Sequence, residues 1–165
     1  AGEAVARHAV ERGYDKALIV SAGDERALRR KDSFAAQFGQ LTGNVPIEVL
    51  YEAGATIERG RNGLSSGLEK GFKNGIIMCS SDLLAHGVLI EAQVRGLRIP
   101  QDIAVIGFGN QNFSPFTLPA LSTVEVNRPY LGKQAAEALV ARIDNKPLPT
   151  KSIDIGFEII ARDST

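Results

Sequence analysis

Short, uninterrupted apolar runs recur along this chain, separated by helix-patterned stretches, and that alternation limits the fold more than any other feature. Residues 16–21 (KALIVS), 75–79 (GIIMC) and 102–107 (DIAVIG) hold continuous apolar runs, as strands covered on both faces require. Residues 46–51 (PIEVLY) alternate and read as a further strand. Residues 2–12, 25–42, 56–72 and 82–95 place apolar side chains at helical spacing, with Gly13, Gly43 and Gly96 as stops. Gly60, Gly63 and Gly67 weaken the third of these helices, at about 1 kcal/mol each relative to alanine. Helix and strand thus alternate four times. This predicts an α/β fold: a doubly wound, mostly parallel sheet with helices on both faces and right-handed crossovers. The rhythm then changes to a polar, proline-broken loop at 108–121, a strand at 122–126, a helix at 129–144 and a last strand at 152–161.

Composition narrows the function. The 165 residues amount to about one domain, with 19 Lys+Arg against 19 Asp+Glu. A free-standing nucleic-acid binder carries a basic excess that is missing here. One cysteine, Cys79, excludes an internal disulfide framework and a cysteine-based zinc cluster. No apolar run reaches the roughly 18–20 residues of a membrane-spanning helix. The start, Ala1-Gly2-Glu3-Ala4, has neither the basic region nor the apolar core of a signal peptide and does not begin with Met, as in a fragment of a longer protein.

Enzyme motifs are not found. No Walker loop or Gly-x-Ser-x-Gly elbow occurs. Gly107-Phe108-Gly109-Asn110-Gln111-Asn112 starts like a dinucleotide loop but lacks the third glycine and runs into Pro115 and Pro119 rather than a helix. Asp82 and His86 share a helical face without further metal ligands nearby, and His8 has no partner. No catalytic residue, metal or cofactor is therefore expected. A receiver-type phosphotransfer module would need an acidic pair after the early strands, which Ser21-Ala22-Gly23-Asp24 and Ala53-Gly54-Ala55 do not supply.

Sheets of this kind bind ligands beyond the carboxyl ends of their strands. There the chain places Arg26, Arg29, Arg30 and Lys31 one turn into a helix, facing either an anion or hydroxyl-rich partner or plain solvent. Arg128, between a strand and Pro129, is expected to sit extended at a helix mouth, as a carboxylate-binding group or a surface arginine. Asp82, after Ser80-Ser81, reads as a helix cap or first-turn acid, and either serine could cap in its stead. Asn110, Gln111 and Asn112 read as turn chemistry or as a set of donors and acceptors suited to a sugar.

Several stretches together resemble the lactose/galactose-repressor family of transcription regulators. Gly13-Tyr14-Asp15-Lys16-Ala17-Leu18-Ile19-Val20 resembles its entry strand, and Arg30-Lys31-Asp32-Ser33-Phe34 its "R-x-x-G-F" with serine for glycine. Ser80-Ser81-Asp82-Leu83-Leu84-Ala85-His86-Gly87 is similar to "x-N-D-x-x-A-x-G". The run from Gly96 to Phe108 (GLRIPQDIAVIGF), with Leu118 to Val124 (LPALSTV) and the terminal Arg162-Asp163-Ser164-Thr165, completes the set in order.

The resemblance implies a periplasmic-binding-protein-like, two-lobed effector domain, of which this chain is the C-terminal half. Residues 1–127 would form the C-terminal lobe, 128–147 a crossover helix belonging to the other lobe, and 148–165 the return strand and C-terminus. Leu131, Ala135, Leu139 and Ile143 would then be exposed or pack elsewhere. Ligand-facing positions carried over from the family are Arg30, Thr56, Ser81, Gly109, Asn110 and Arg128, with Asp82 beside them. Ser81 replaces the usual asparagine, Gly109 an aspartate that binds sugar hydroxyls, and Arg128 a stacking aromatic. An acid lost and a base gained point to a sugar acid, gluconate-like or a ketogluconate, and "G-F-G-N" resembles the gluconate-repressor branch. The family also implies a cytoplasmic homodimer joined through the C-terminal lobe, with helix 82–95 (Leu83, Leu84, Val88, Leu89) on the dimer face. DNA would be bound only by a helix-turn-helix outside this chain. A periplasmic sugar-binding protein of the same fold class is the alternative.

Overall fold

The computed structural model describes residues 1–144, 146 and 154–165. Its order is α1 (Gly2–Glu11), β1 (Ala17–Ala22), α2 (Glu25–Thr42), β2 (Ile47–Tyr51), α3 (Ile57–Glu69), β3 (Gly75–Cys79), α4 (Asp82–Val94), β4 (Ile103–Phe108), a short 3-10 turn at Ser114–Phe116, β5 (Ser122–Val126), α5 (Arg128–Ile143) and β6 (Phe157–Ile160). The strands form one sheet in the order β2-β1-β3-β4-β5-β6, with β1 to β5 parallel and β6 antiparallel to β5. The expected last strand is shorter than 152–161, and positions 152 and 153 lie outside the described residues.

Burial explains the continuous apolar runs. Every residue of β1 and of β4 is buried. Successive side chains enter opposite layers. Leu18, Val20, Ile77, Cys79, Ile103 and Val105 pack with α3 and α4. Ile19, Ile76, Met78, Ala104 and Ile106 pack with α1 and α2, where Phe34 and Phe38 stack at 5.4 Å. Cys79 is a fully buried core thiol whose pKa burial pushes up, which leaves it inert.

The glycines that weaken the third helix by propensity are the reason it fits. A Cβ on Gly60 would run into the Leu84 carbonyl and Gly87 of α4, and one on Gly87 into the Ile57 carbonyl. Gly63 and Gly67 lie in the same way against Val20 and Leu18 of β1. Glycine's cost in a helix is outweighed by backbone-to-backbone approach of α3 and α4. Beyond the crossing, Glu91 of α4 joins the pair through Arg61 of α3 at 2.9 Å and Arg95 at 2.9 Å. These two arginines hold its carboxyl below the usual carboxylate range.

Two expectations are corrected here. Leu84, Val88 and Leu89 of α4 are core residues at 0%, 0% and 3% exposure, and of the set expected on a dimer face only Leu83 is exposed. Leu118, 82% exposed, lines a shallow cleft with Leu89 and Gln93 of α4, and Phe116, two residues earlier, is 84% exposed. Arg128 is also not extended before a helix but is its first residue, because Asn127 takes the cap position and accepts from the Tyr130 N–H at 3.0 Å. α5 has no buried residue, and Leu131, Ala135, Leu139 and Ile143 are all exposed.

The chain end closes the sheet. Ser164 runs beside β4, its carbonyl accepting from Val105 N at 2.8 Å and its hydroxyl donating to Val105 O at 2.6 Å. The same hydroxyl accepts from Ser122 N at 2.8 Å, which ties β5 to the tail.

Gly87→Val is expected to destabilise the domain by about 1–3 kcal/mol, read as a lowered urea midpoint, since the facing atoms are backbone and cannot move aside. Glu91 contributes stability that is present above the ordinary carboxylate range and is lost as pH falls through its lowered pKa. Unfolding midpoints measured from about pH 5 downward should therefore fall less steeply in Glu91→Gln than in the wild type.

Candidate functional site

The carboxyl ends of β1 to β5 lie on one edge of the fold, and the loops that leave them are drawn together by named bonds. Ser80, just past β3, accepts the Ala22 N–H on its hydroxyl at 3.0 Å, joining the β1 and β3 tips. Arg30 reaches over from α2. Its Nη1 donates to the Ser80 carbonyl at 3.0 Å and its guanidinium lies 3.6 Å from the centre of the Phe108 ring. Burial lowers its pKa, yet an arginine stays charged, and the aromatic face and carbonyl offset the lost water. Arg26, paired with Asp24, and Arg29, paired with Glu25, form a solvated charged face, whereas the largely buried Lys31 pairs with Asp32 and Glu48.

Beyond Phe108 the chain turns through two left-handed residues, Gly109 at φ 126° and Asn110 at φ 43°. Gly109 N donates to Val124 O at 2.8 Å and Asn110 N to the Thr123 hydroxyl at 3.2 Å. The turn points its two carbonyls at Arg128, whose Nη2 donates to Gly109 O at 2.6 Å and Asn110 O at 2.9 Å. Arg128 is thereby fixed at the mouth of α5 with the rest of its guanidinium exposed. An open groove of about 870 Å³ lies here, lined by Asn110, Gln111, Asn112, Glu125, Arg128 and Glu158 among others. Glu125 and Glu158 face each other across the β5–β6 pairing.

Asp82 has a different place from the one expected of a ligand-facing residue. It is fully buried. One carboxylate oxygen accepts from the Thr123 hydroxyl at 2.5 Å. The other accepts from Gln111 N at 2.7 Å and the Ser114 hydroxyl at 2.7 Å. A Cβ on Gly107 would occupy the space of this carboxylate. Its acceptor capacity goes to the protein, and its work is to hold the 109–116 loop.

Among the other positions, Ser81 caps α4 through the Leu84 N–H at 3.4 Å, and Thr56 caps α3 through the Arg59 N–H at 3.1 Å. The structure brings Arg30, Gly109, Asn110 and Arg128 to the β3–β5 end of the row. Thr56 follows β2, four strand positions from β5, or about 19 Å at the usual spacing. Sequence reasoning missed Glu125, Glu158 and Arg162, whose Nη2 donates to Asn110 Oδ1 at 2.8 Å. The alternation of β5 puts Thr123 and Glu125 on one face and was available as a signal for the first; pairing with a distant strand carries none for the second.

Comparison with known proteins bears on this geometry. A family model described as a periplasmic binding protein-like domain matches residues 6–165. The HTH-type transcriptional regulator GntR of Pseudomonas aeruginosa is 34% identical over 168 residues, covering 100% of this chain and 49% of that protein. The solved transcription regulator GntR from Chromobacterium violaceum superposes with a TM-score of 0.92 at 29% identity, covering 99% of this chain and 61% of that one. A LacI-family transcriptional regulatory protein from Corynebacterium glutamicum gives 0.87 at 25% identity, with 99% and 62% covered. The chain spans about half the length of the curated relatives it matches. No described helix is long and apolar enough to cross a membrane.

Asp82→Ala leaves two hydroxyls and an N–H without their acceptor. It is expected to lower stability by about 3 kcal/mol or more in urea unfolding, with the greatest gain of amide exchange in residues 109–116.

Proposed function

Since this chain belongs to the periplasmic binding protein-like family, in the form carried by lactose/galactose-repressor-type regulators, we propose that it is the C-terminal half of an effector-sensing domain in a bacterial transcription regulator. Residues 1–127 are the lobe proper. The segment 128–147 crosses, through α5, to a second lobe that covers the helix's exposed apolar side, and 148–165 is the return segment, seen as β6 and the terminal residues; 145 and 147–153 lie outside the described residues. The effector is a sugar or sugar acid, gluconate-like, held between the lobes. DNA is bound by a helix-turn-helix elsewhere in the longer cytoplasmic protein, and no catalysis is involved.

The observation that carries this reading is the make-up of the groove at the β4 and β5 tips. It combines one fixed, exposed guanidinium with the carboxylates of Glu125 and Glu158 and the amides of Asn110, Gln111 and Asn112. A polyol acid complements all three: its carboxylate accepts from Arg128, its hydroxyls donate to the glutamates, and either group engages the amides. Its volume falls in the ordinary range for small-molecule sites. Lobe closure changes DNA binding only through different affinity of the effector for the two arrangements. A periplasmic sugar-binding protein of the same fold remains the second reading, favoured by the fold itself; the regulators found as relatives favour the first.

The dimer this implies buries Phe116 and Leu118 against a second copy, beside a groove formed with Leu89 and Gln93 of α4. Phe116→Glu is expected to convert the intact protein to monomer in sedimentation at micromolar concentration while leaving its circular dichroism unchanged.

Calorimetry of the intact protein against gluconate and glucose tests the ligand. Arg128→Ala should weaken gluconate by about one to two decades and leave glucose unchanged. Equal affinity of the wild type for both sugars overturns the carboxylate assignment.

A further inference from the structure

The orientation of the Asn110 amide is set from outside the groove. Arg162, on the terminal segment, donates from Nη1 to Leu121 O at 2.6 Å and from Nη2 to Asn110 Oδ1 at 2.8 Å. Its backbone is held in turn, N donating to the Ser122 hydroxyl at 2.8 Å. A guanidinium has donors only, so the side-chain atom of Asn110 that meets it must be the oxygen. Asn110 lines the groove, its backbone fixed by Thr123 and its carbonyl spent on Arg128. What remains to it is the Nδ2 amino group, which has no protein acceptor among the described residues.

We infer that Arg162 is a specificity-determining positioning residue: it locks Asn110 so that the groove meets an N–H donor and never the amide oxygen. Arg162 touches no bound molecule itself. It acts through Asn110, and the donor it exposes adds to the guanidinium of Arg128 on the same turn. The groove wall at this point therefore selects a ligand atom that accepts, a carboxylate or a hydroxyl oxygen through its lone pair. The choice of ligand rests on the sugar-acid reading above; the locking of the amide does not.

The test uses the intact protein with D-gluconate as probe and the Asn110 side-chain amide resonance as a second, ligand-free readout. Arg162→Met is expected to weaken gluconate about tenfold and Arg162→Lys to stay within about threefold of wild type. In an Asn110→Ala background, Arg162→Met should change affinity by less than about twofold, because the residue it orients is gone. Asn110→Asp keeps an oxygen for Arg162 but replaces the donor with an acceptor, and should lose gluconate as strongly as Arg162→Met. The Asn110 amide signal should shift in Arg162→Met and return in Arg162→Lys. A full loss persisting in the Asn110→Ala background, or an amide signal indifferent to Arg162→Met, overturns the inference. If the wild type binds neither gluconate nor glucose, the sugar-acid reading fails and the amide signal alone decides whether Arg162 orients Asn110. Should the methionine variant not fold, Arg162→Ala, which likewise removes every donor to Asn110, carries the same comparison.

Discussion

One buried carboxylate holds the functional edge of this molecule together. Asp82 stands at the first turn of α4, with β5, the 109–116 loop and the 3-10 turn all bonded to its two oxygens. A charge removed from water is tolerated only when its acceptor sites are filled. Here three donors, two from the 109–116 loop and one from β5, fill them, and the helix N-terminus lies behind. The loop beyond β4 is tied to that arrangement: the left-handed turn at Gly109 and Asn110, whose carbonyls grip Arg128, runs into Gln111 and Ser114 on this carboxylate, next to the segment that presents Phe116.

The same loop therefore has two ends with different duties. Asn110, Gln111, Asn112 and Pro115 line the groove, while Phe116 is 84% exposed. Asp82 sits between them.

Element order and sheet class were legible in the sequence because burial on two faces leaves an unbroken apolar signature, seen in β1, β3 and β4. Most helix and strand limits fall within a residue or two of the pattern. The exceptions have local causes. The glycines of α3 read as weakness because propensity knows nothing of Gly87 across the helix crossing. Arg128 reads as extended from its proline neighbour, but the Asn127 cap starts the helix one residue earlier. Leu84, Val88 and Leu89 were assigned to an interface although an apolar stripe on a helix is more often core, as it is here. At the site, the sequence placed Arg30, Asn110 and Arg128 beyond the strand ends, where the structure also sets them: Arg30 on α2, Asn110 on the loop after β4 and Arg128 at the start of α5. The inward turn of Asp82 was not legible, since its partners are 29 to 41 residues away in the chain. Glu158 and Arg162 escaped for the same reason: a pairing between distant segments leaves no periodic trace.

The tail also has a consequence for biosynthesis. Ser164 bonds to both β4 and β5, and Arg162 reaches the groove turn from the same segment. While a nascent chain emerges from the ribosome, β4 and β5 wait with these backbone groups unmet until residues 162–165 have cleared the exit tunnel. The Asn110 side-chain amide is thus among the last groove groups to be oriented, and an aborted translation product ending in α5 would lack the arginine that holds it.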